Sequence, residues 1–205
     1  MPVKPYRLEV CITSVEEALR AEALSADRVE LCMRLDVDGM TPPFDLVEAV
    51  LDSICIPVRV MIRHTETGFE ANSRAQDVMM RSVLELKTLP INGFVFGILK
   101  GRHIDREAML TLLGVAHPLP VTFHKAIDLC KDIESEIAWL NEQGQIDTIL
   151  TSGGAVQAID GAVQIRAMRK EFSRQIMAGG KIMRDDLPMV HAALGLGWYH
   201  GRKIL

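Results

Sequence analysis

Eight short apolar segments with strand character recur along the 205-residue chain, each followed by a stretch with helical periodicity. They read LEVCI, RVELC, PVRVMIR, GFVFGIL, PVTFH, DTILTSGG, QIMAGG and WYHGRKIL. Strands that alternate with helices must pair in parallel, since each connection crosses back over the sheet. Eight right-handed crossovers can close into a (β/α)8 TIM barrel of the α/β class. An open doubly wound sheet is the alternative.

The intervening segments support helices. In SVEEALRAEAL, Ser14 can cap the first turn and Glu17 can complete a capping box, with Val15, Ala18, Leu19 and Ala23 on the inner face. Thr41-Pro42 is expected to open the next helix before FDLVEAVLDSI. SRAQDVMMRSVLELK, REAMLTLLGVA, IESEIAWLNEQ, AVQIRAMRKEF and DDLPMVHAALG follow, which makes seven. The sequence given stops at Leu205, just after the eighth strand, so the last outer helix of a full barrel is expected to be missing. The bare flank is expected to be covered by the N-terminal arm or by a second subunit.

Length bounds the answer to one core, with residues 1–205 expected as a single TIM-barrel domain. With 24% charged residues and a net charge of −4, the composition is that of a globular protein with no nucleic-acid partner. MPVKPYRLEV has no apolar signal core and no run approaches the roughly 18 apolar residues that cross a bilayer, so no membrane partner and a cytoplasmic location are expected. Cys11, Cys32, Cys55 and Cys130 lie far apart without CxxC spacing, which favours reduced thiols over a disulfide framework.

The first two strands both write Glu-x-Cys. Because a strand alternates its faces, Glu9 shares a side with Cys11, and Glu30 with Cys32, while Val10, Ile12, Val29 and Leu31 take the other. If the apolar set faces the helices, the acids and thiols point to the barrel axis. The same parity turns Arg59, Met61, Arg63, Thr122, His124, Trp198 and His200 inward. Glu9 and Glu30 then line a polar pocket, balanced by the arginines and a histidine, or form a purely structural charged core.

Cys11 and Cys32 are candidate ligands for a soft ion, since adjacent strands lie about 4.8 Å apart and Cu(I) favours sulfur, with Met61 as an optional third donor. Buried thiols that bind nothing are the competing reading. Cys55, before the third strand, is expected to be structural, and Cys130, on the site-bearing end beyond the fifth, to start a helix. Glycine-rich LTSGG after the sixth strand (Thr151, Ser152, Gly153, Gly154) and AGG after the seventh (Gly179, Gly180) could bring backbone amides to an anion. For catalysis the mouth offers Arg63, His124, Asp128 and His200, with Lys100 and Lys125 less suited to Schiff-base chemistry. No HExxH, GxSxG, Walker or Rossmann motif occurs.

Taken in order, LEVC, DRVELC, DGMTP, PVRVMIR, FVFGIL, PVTFHKAID, DTILTSGG, AGG and a terminal HG resemble the CutC family across nearly the whole chain. The resemblance implies a cytoplasmic TIM barrel associated with copper homeostasis, a homo-oligomer, and no secure enzymatic activity. The matching positions are Glu9, Cys11, Glu30, Cys32, Arg63, His124, Asp128, Thr151, Ser152, Gly153, Gly154 and His200. The chain departs from the pattern after its third strand, where it has Arg63-His64-Thr65-Glu66-Thr67-Gly68, in AGGKI, and at Arg202. Two functions are therefore expected to compete. One is Cu(I) binding through barrel-mouth thiolates; the other is an enzyme acting on a small anionic or phosphorylated metabolite held by LTSGG and Arg63, with His124 or Asp128 moving the proton.

Overall fold

A computed structural model describes residues 4–205 and shows a closed barrel of eight parallel strands surrounded by seven α-helices. The barrel strands are β1 (Arg7–Ile12), β2 (Arg28–Leu31), β3 (Val58–Met61), β4 (Gly93–Phe96), β7 (Val121–Phe123), β8 (Ile146–Thr151), β9 (Gln175–Ala178) and β10 (Trp198–Gly201). Closure is made by β10 against β1, from Arg7 opposite Trp198 to Val10 opposite Gly201. The open-sheet alternative is thereby excluded. Between β4 and the fourth helix the chain inserts a two-stranded hairpin, β5 (Leu99–Lys100) and β6 (His103–Ile104), where the sequence suggested that the fourth strand ran on through GFVFGIL.

The helices are α1 (Val15–Ala23), α2 (Phe44–Ser53), α3 (Ser73–Leu86), α4 (Arg106–Ala116), α5 (Ile133–Glu142), α6 (Ala162–Glu171) and α7 (Leu187–Leu194). Ser14 caps α1 as expected, its Oγ accepting from Glu17 N at 3.2 Å. The reciprocal half of the box slips by one residue, because the Glu17 carboxylate accepts from Thr13 N and Thr13 Oγ1. The start of α2 also moves: Pro43 holds the cap position and Phe44 begins the helix, so Thr41-Pro42 precede it. Thr41 is engaged elsewhere, its hydroxyl accepting from Arg63 N at 2.8 Å.

Strand parity sorts the core into two parts. Leu8, Val10, Ile12, Val29, Leu31, Val58, Val60, Phe94, Phe96, Val121, Phe123, Ile149, Ile176 and Tyr199 pack outward in one continuous apolar layer with the helices. Cys11, Cys32, Met61 and Val95 form a separate buried cluster on the other side of the strands, with Leu35 packed against it. The thiols therefore face inward. Among the described residues no helix follows β10; beside α1 a groove of about 520 Å³ remains, lined by Val10, Cys11, Ile12, Arg20, Leu24 and Leu205 among others. Residues 1–3 of the expected N-terminal cover lie outside the described residues.

Candidate metal centre

The barrel interior is built in tiers along the axis. In its lower tier Arg28 pairs with Glu9 through Nε and lies with its guanidinium carbon 4.5 Å from the centre of the Trp198 ring. Arg59 donates to Thr122 Oγ1 and, at 2.8 Å, to Asp147 Oδ1. Glu9 also accepts from His200 Nδ1 at 2.9 Å. Burial alone would push the Glu9 carboxyl up, but the Arg28 charge and the His200 hydrogen bond overcome it and bring its pKa down to about 2. Glu9 is thus a fixed anion, and it orients the His200 ring by holding Nδ1–H.

The upper tier holds the sulfurs. Cys11 Sγ and Cys32 Sγ are 3.4 Å apart, and both side chains are buried. Contact with the second thiol, together with burial and the Glu30 charge, raises the Cys11 pKa well above its ordinary value, so the thiol is protonated near neutrality. Cys11, Glu30 and His200 each bring one ligand-capable atom to within 4.8 Å of the others. Glu30 Oε2 is buried with no hydrogen-bond partner, and burial lifts the Glu30 carboxyl to about 7 despite the opposing effect of His200. At His200, burial works against the charged ring, but the carboxylates of Glu30 and Glu9 outweigh it and raise the pKa. A buried oxygen left without a partner is costly. In this cluster it lies beside a thiol pair and an oriented imidazole, a donor set that suits a thiophilic ion.

The roof over the thiols is the loop after β2. Leu35 packs on the Cys11, Cys32, Met61 and Val95 cluster, and the loop closes as a small hairpin in which Met33 and Met40 are paired. Gly39, at φ +91°, runs close over the cluster: a Cβ there would lie 3.5 Å from both Cys32 Sγ and Met61 Cε. Arg63 braces this roof from below. Its Nη1 donates to the Gly39 carbonyl at 2.8 Å and the Val37 carbonyl at 2.5 Å, and its Nη2 donates to the Gly68 carbonyl at 3.0 Å. A guanidinium so fully engaged with carbonyl oxygens has little capacity left for an external anion.

Asp128 fills the glycine-rich loop from within. Its carboxylate accepts from Thr151 Oγ1, from Ser152 N at 2.8 Å and Oγ at 2.9 Å, and from Gly154 N at 3.1 Å, while Gly153 N donates to Thr151 Oγ1. In the structure these donors of LTSGG are taken up by the chain's own carboxylate. The glycines answer to packing as well: Gly153 has φ +69°, and a Cβ on it would come within 2.3 Å of the Gly161 carbonyl oxygen. At Gly179 a Cβ would meet Leu150 Cδ1 at 2.7 Å, and Gly180 adopts φ +119°. Neither position is explained only by an anion.

His124 is correctly placed inward but differs in state from a general acid. Burial and the Arg63 charge push its pKa down to about 3; its Nδ1 accepts from Ala126 N, and Nε2 is buried without a partner. Cys130 is buried, whereas Cys55 is exposed. Lys100 is exposed at the hairpin and Lys125 half-buried in a 3-10 turn.

Arg28 was missed as a site residue although its parity with Glu30 and Cys32 was available in the sequence. Leu35, Met33 and Met40 were not legible, because they belong to a loop whose path over the mouth depends on Arg63.

Fold and centre together define a class: a closed parallel (β/α)8 barrel whose axis carries a thiol pair roofed by one loop. Comparison with known proteins narrows the class. The model of the CutC family matches residues 6–204, and the chain belongs to that family. It is 35% identical to the copper homeostasis protein cutC homolog of Homo sapiens, covering 95% of this chain and 72% of that protein. A CutC family protein of Pasteurella multocida is 34% identical, with 95% and 80% covered. The crystal structure of a CutC from Streptococcus agalactiae superposes with a TM-score of 0.90 at 28% identity, covering 98% of this chain and all (100%) of that one. Oxaloacetate acetylhydrolase, at a TM-score of 0.66 and 11% identity over 98% of this chain and 76% of its own, shares the fold alone. The assignment to a copper homeostasis family agrees with the resemblance read from the sequence motifs.

Proposed function

We propose that this chain is a cytoplasmic copper-homeostasis protein that binds Cu(I) through the Cys11 and Cys32 thiolates inside the barrel. The observation that carries the reading is the juxtaposition of two buried thiols, 3.4 Å between sulfurs, with the partnerless Glu30 Oε2 and the oriented His200. The two thiolates would hold the ion and leave a further ligand position to a neighbouring donor. Glu30, His200 or Met61 could supply it. Soft thiolates favour Cu(I). Binding requires the thiol protons to leave, so affinity should rise with pH.

In this reading the protein is one domain and a homo-oligomer, with a second copy covering the groove beside α1. The enzymatic alternative has no comparable support, since Asp128 occupies the loop that would hold its substrate. The test is anaerobic competition for Cu(I) against a chromogenic chelator. The wild type should hold one equivalent, and a Cys11→Ser/Cys32→Ser variant should lose at least about a hundredfold in affinity, by analogy with removing metal-supporting residues. An unchanged affinity would reject the proposal.

A further inference from the structure

We infer that Met33 and Met40 form a second soft-metal site, a thioether pair on the barrel rim that takes up Cu(I) from solution and hands it to the thiols below. The inference rests on the function just proposed. Met33 N donates to the Met40 carbonyl at 2.9 Å and Met40 N to the Met33 carbonyl at 2.7 Å, so the two residues are a hydrogen-bonded antiparallel pair. Residues directly opposed in this way project their side chains to the same face, with Cα atoms about 5.5 Å apart. Met33 is 37% exposed and Met40 half-buried, so the pair is available at the surface.

The connection to the interior is short in sequence and in space. Cys32 precedes Met33, and a Cβ placed on Gly39, which precedes Met40, would lie 3.5 Å from Cys32 Sγ and Met61 Cε. Both ends of the hairpin thus straddle the inner sulfur cluster, with thioethers outside and thiols inside. Leu35 packs on the inner cluster from the hairpin, so the loop that carries the thioethers also covers the thiols on that side. The hairpin is also held in place: Arg63 ties the Val37 and Gly39 carbonyls, and Arg34 pairs with Asp36 and Glu66 at 2.9 Å each. A preorganised pair loses less freedom on binding.

The chemistry divides between the two sites. A thioether is a neutral soft donor with no proton to lose, suited to weak and rapidly exchanging capture of Cu(I). In the transfer a copper–thioether bond breaks, a copper–thiolate bond forms, and the thiol proton leaves to solvent; the oxidation state of copper does not change.

Two measurements test this. In the Cys11→Ser/Cys32→Ser protein labelled with 13C-methyl methionine, Ag(I), a soft ion that does not cycle its oxidation state here, should shift the Met33 and Met40 methyl signals before those of the other methionines. In the otherwise wild-type protein, Met33→Leu/Met40→Leu should preserve the fold and the equilibrium Cu(I) affinity, while stopped-flow loading at limiting Cu(I) slows by about tenfold or more, the scale on which losing an attractive encounter site lowers an association rate. Methyl signals that do not respond to Ag(I), or loading of the double leucine variant at the wild-type rate, would overturn the inference. If the wild type itself retains no Cu(I), the thiol reading and the hand-over fail, whereas selective methyl shifts would still establish the thioether site.

Discussion

Glu30 has a buried carboxylate oxygen with no hydrogen bond, 3.9 Å from His200 Nδ1, and its behaviour can be measured without any metal. Its folded pKa of about 7 lies above the ordinary value of 4.5, so the folded state favours the protonated acid. That contribution is fully present below about pH 4.5 and is lost as pH rises through about 7. Glu30→Gln, neutral throughout, should flatten the fall in melting temperature between pH 5 and pH 8, gaining at most about 3 kcal/mol at the upper end. A variant whose thermal profile overlays the wild type at both pH values would contradict this account. His200, whose pKa is also raised, contributes in the same sense and accounts for any slope that remains.

At the opposite extreme, His124 is held neutral with a pKa of about 3, below its ordinary 6.5. Its contribution is present above about pH 6.5 and disappears as pH falls toward 3. Acidification of the wild type from pH 6.5 should therefore weaken the fold through His124 while the Glu30 contribution is being restored. The two residues predict a stability profile, followed by urea unfolding, that is flatter in mild acid than either alone would give. Parity read from the sequence placed Glu30, His124 and the thiols on the inner face, but their protonation states depend on neighbours from other strands.

Among the elements, the loop after β8 is the one whose role changes most between sequence and structure. LTSGG reads as an anion cradle, and it is one, but Asp128 from the turn after β7 occupies it. Asp128→Asn keeps the shape and loses the charge, so several donors are left with a weaker acceptor. The expected cost is about 2–4 kcal/mol in urea unfolding, since hydrogen bonds to a charged group are worth roughly twice neutral ones. A loss under about 0.5 kcal/mol, the range of ordinary surface changes, would show that the loop does not depend on its internal anion. Nothing in DTILTSGG announces this, because the occupant lies more than twenty residues upstream and arrives only when β7 and β8 pair.

The hairpin after β2 illustrates the same limit. Its Met33–Met40 pairing follows from backbone reversal through left-handed Arg34, Asp38 and Gly39, two of which are not glycine and so give little local warning. Arg63 then fixes the loop over the thiols. The helices, by contrast, were legible to within a residue or two, since apolar periodicity and capping are local.

For the whole molecule, closure is the decisive event. β10 is hydrogen-bonded to both β1 and β9, and it contributes fully buried Tyr199, while Ile204 just beyond it is also fully buried. Removing residues 198–205 should open the barrel at the seam, unpair Glu9 from His200 and abolish the single cooperative transition seen by circular dichroism and tryptophan fluorescence together. A truncated chain that still unfolds in one coincident step would show that closure is not required.

The alternation of strands and helices, the two-residue parity of each strand and the assignment of thiols and acids to the inner wall were determined by the sequence itself, because each follows from local periodicity and from which residues tolerate burial against helices. Tertiary structure alone decided that the two sulfurs meet, that Arg28 rather than Arg59 neutralises Glu9, that Asp128 satisfies the glycine loop and that Arg63 braces a roof. The reason is physical: register between strands and the path of the long loops are fixed only on closure, when residues far apart in the chain compete for the same few donors, acceptors and charges.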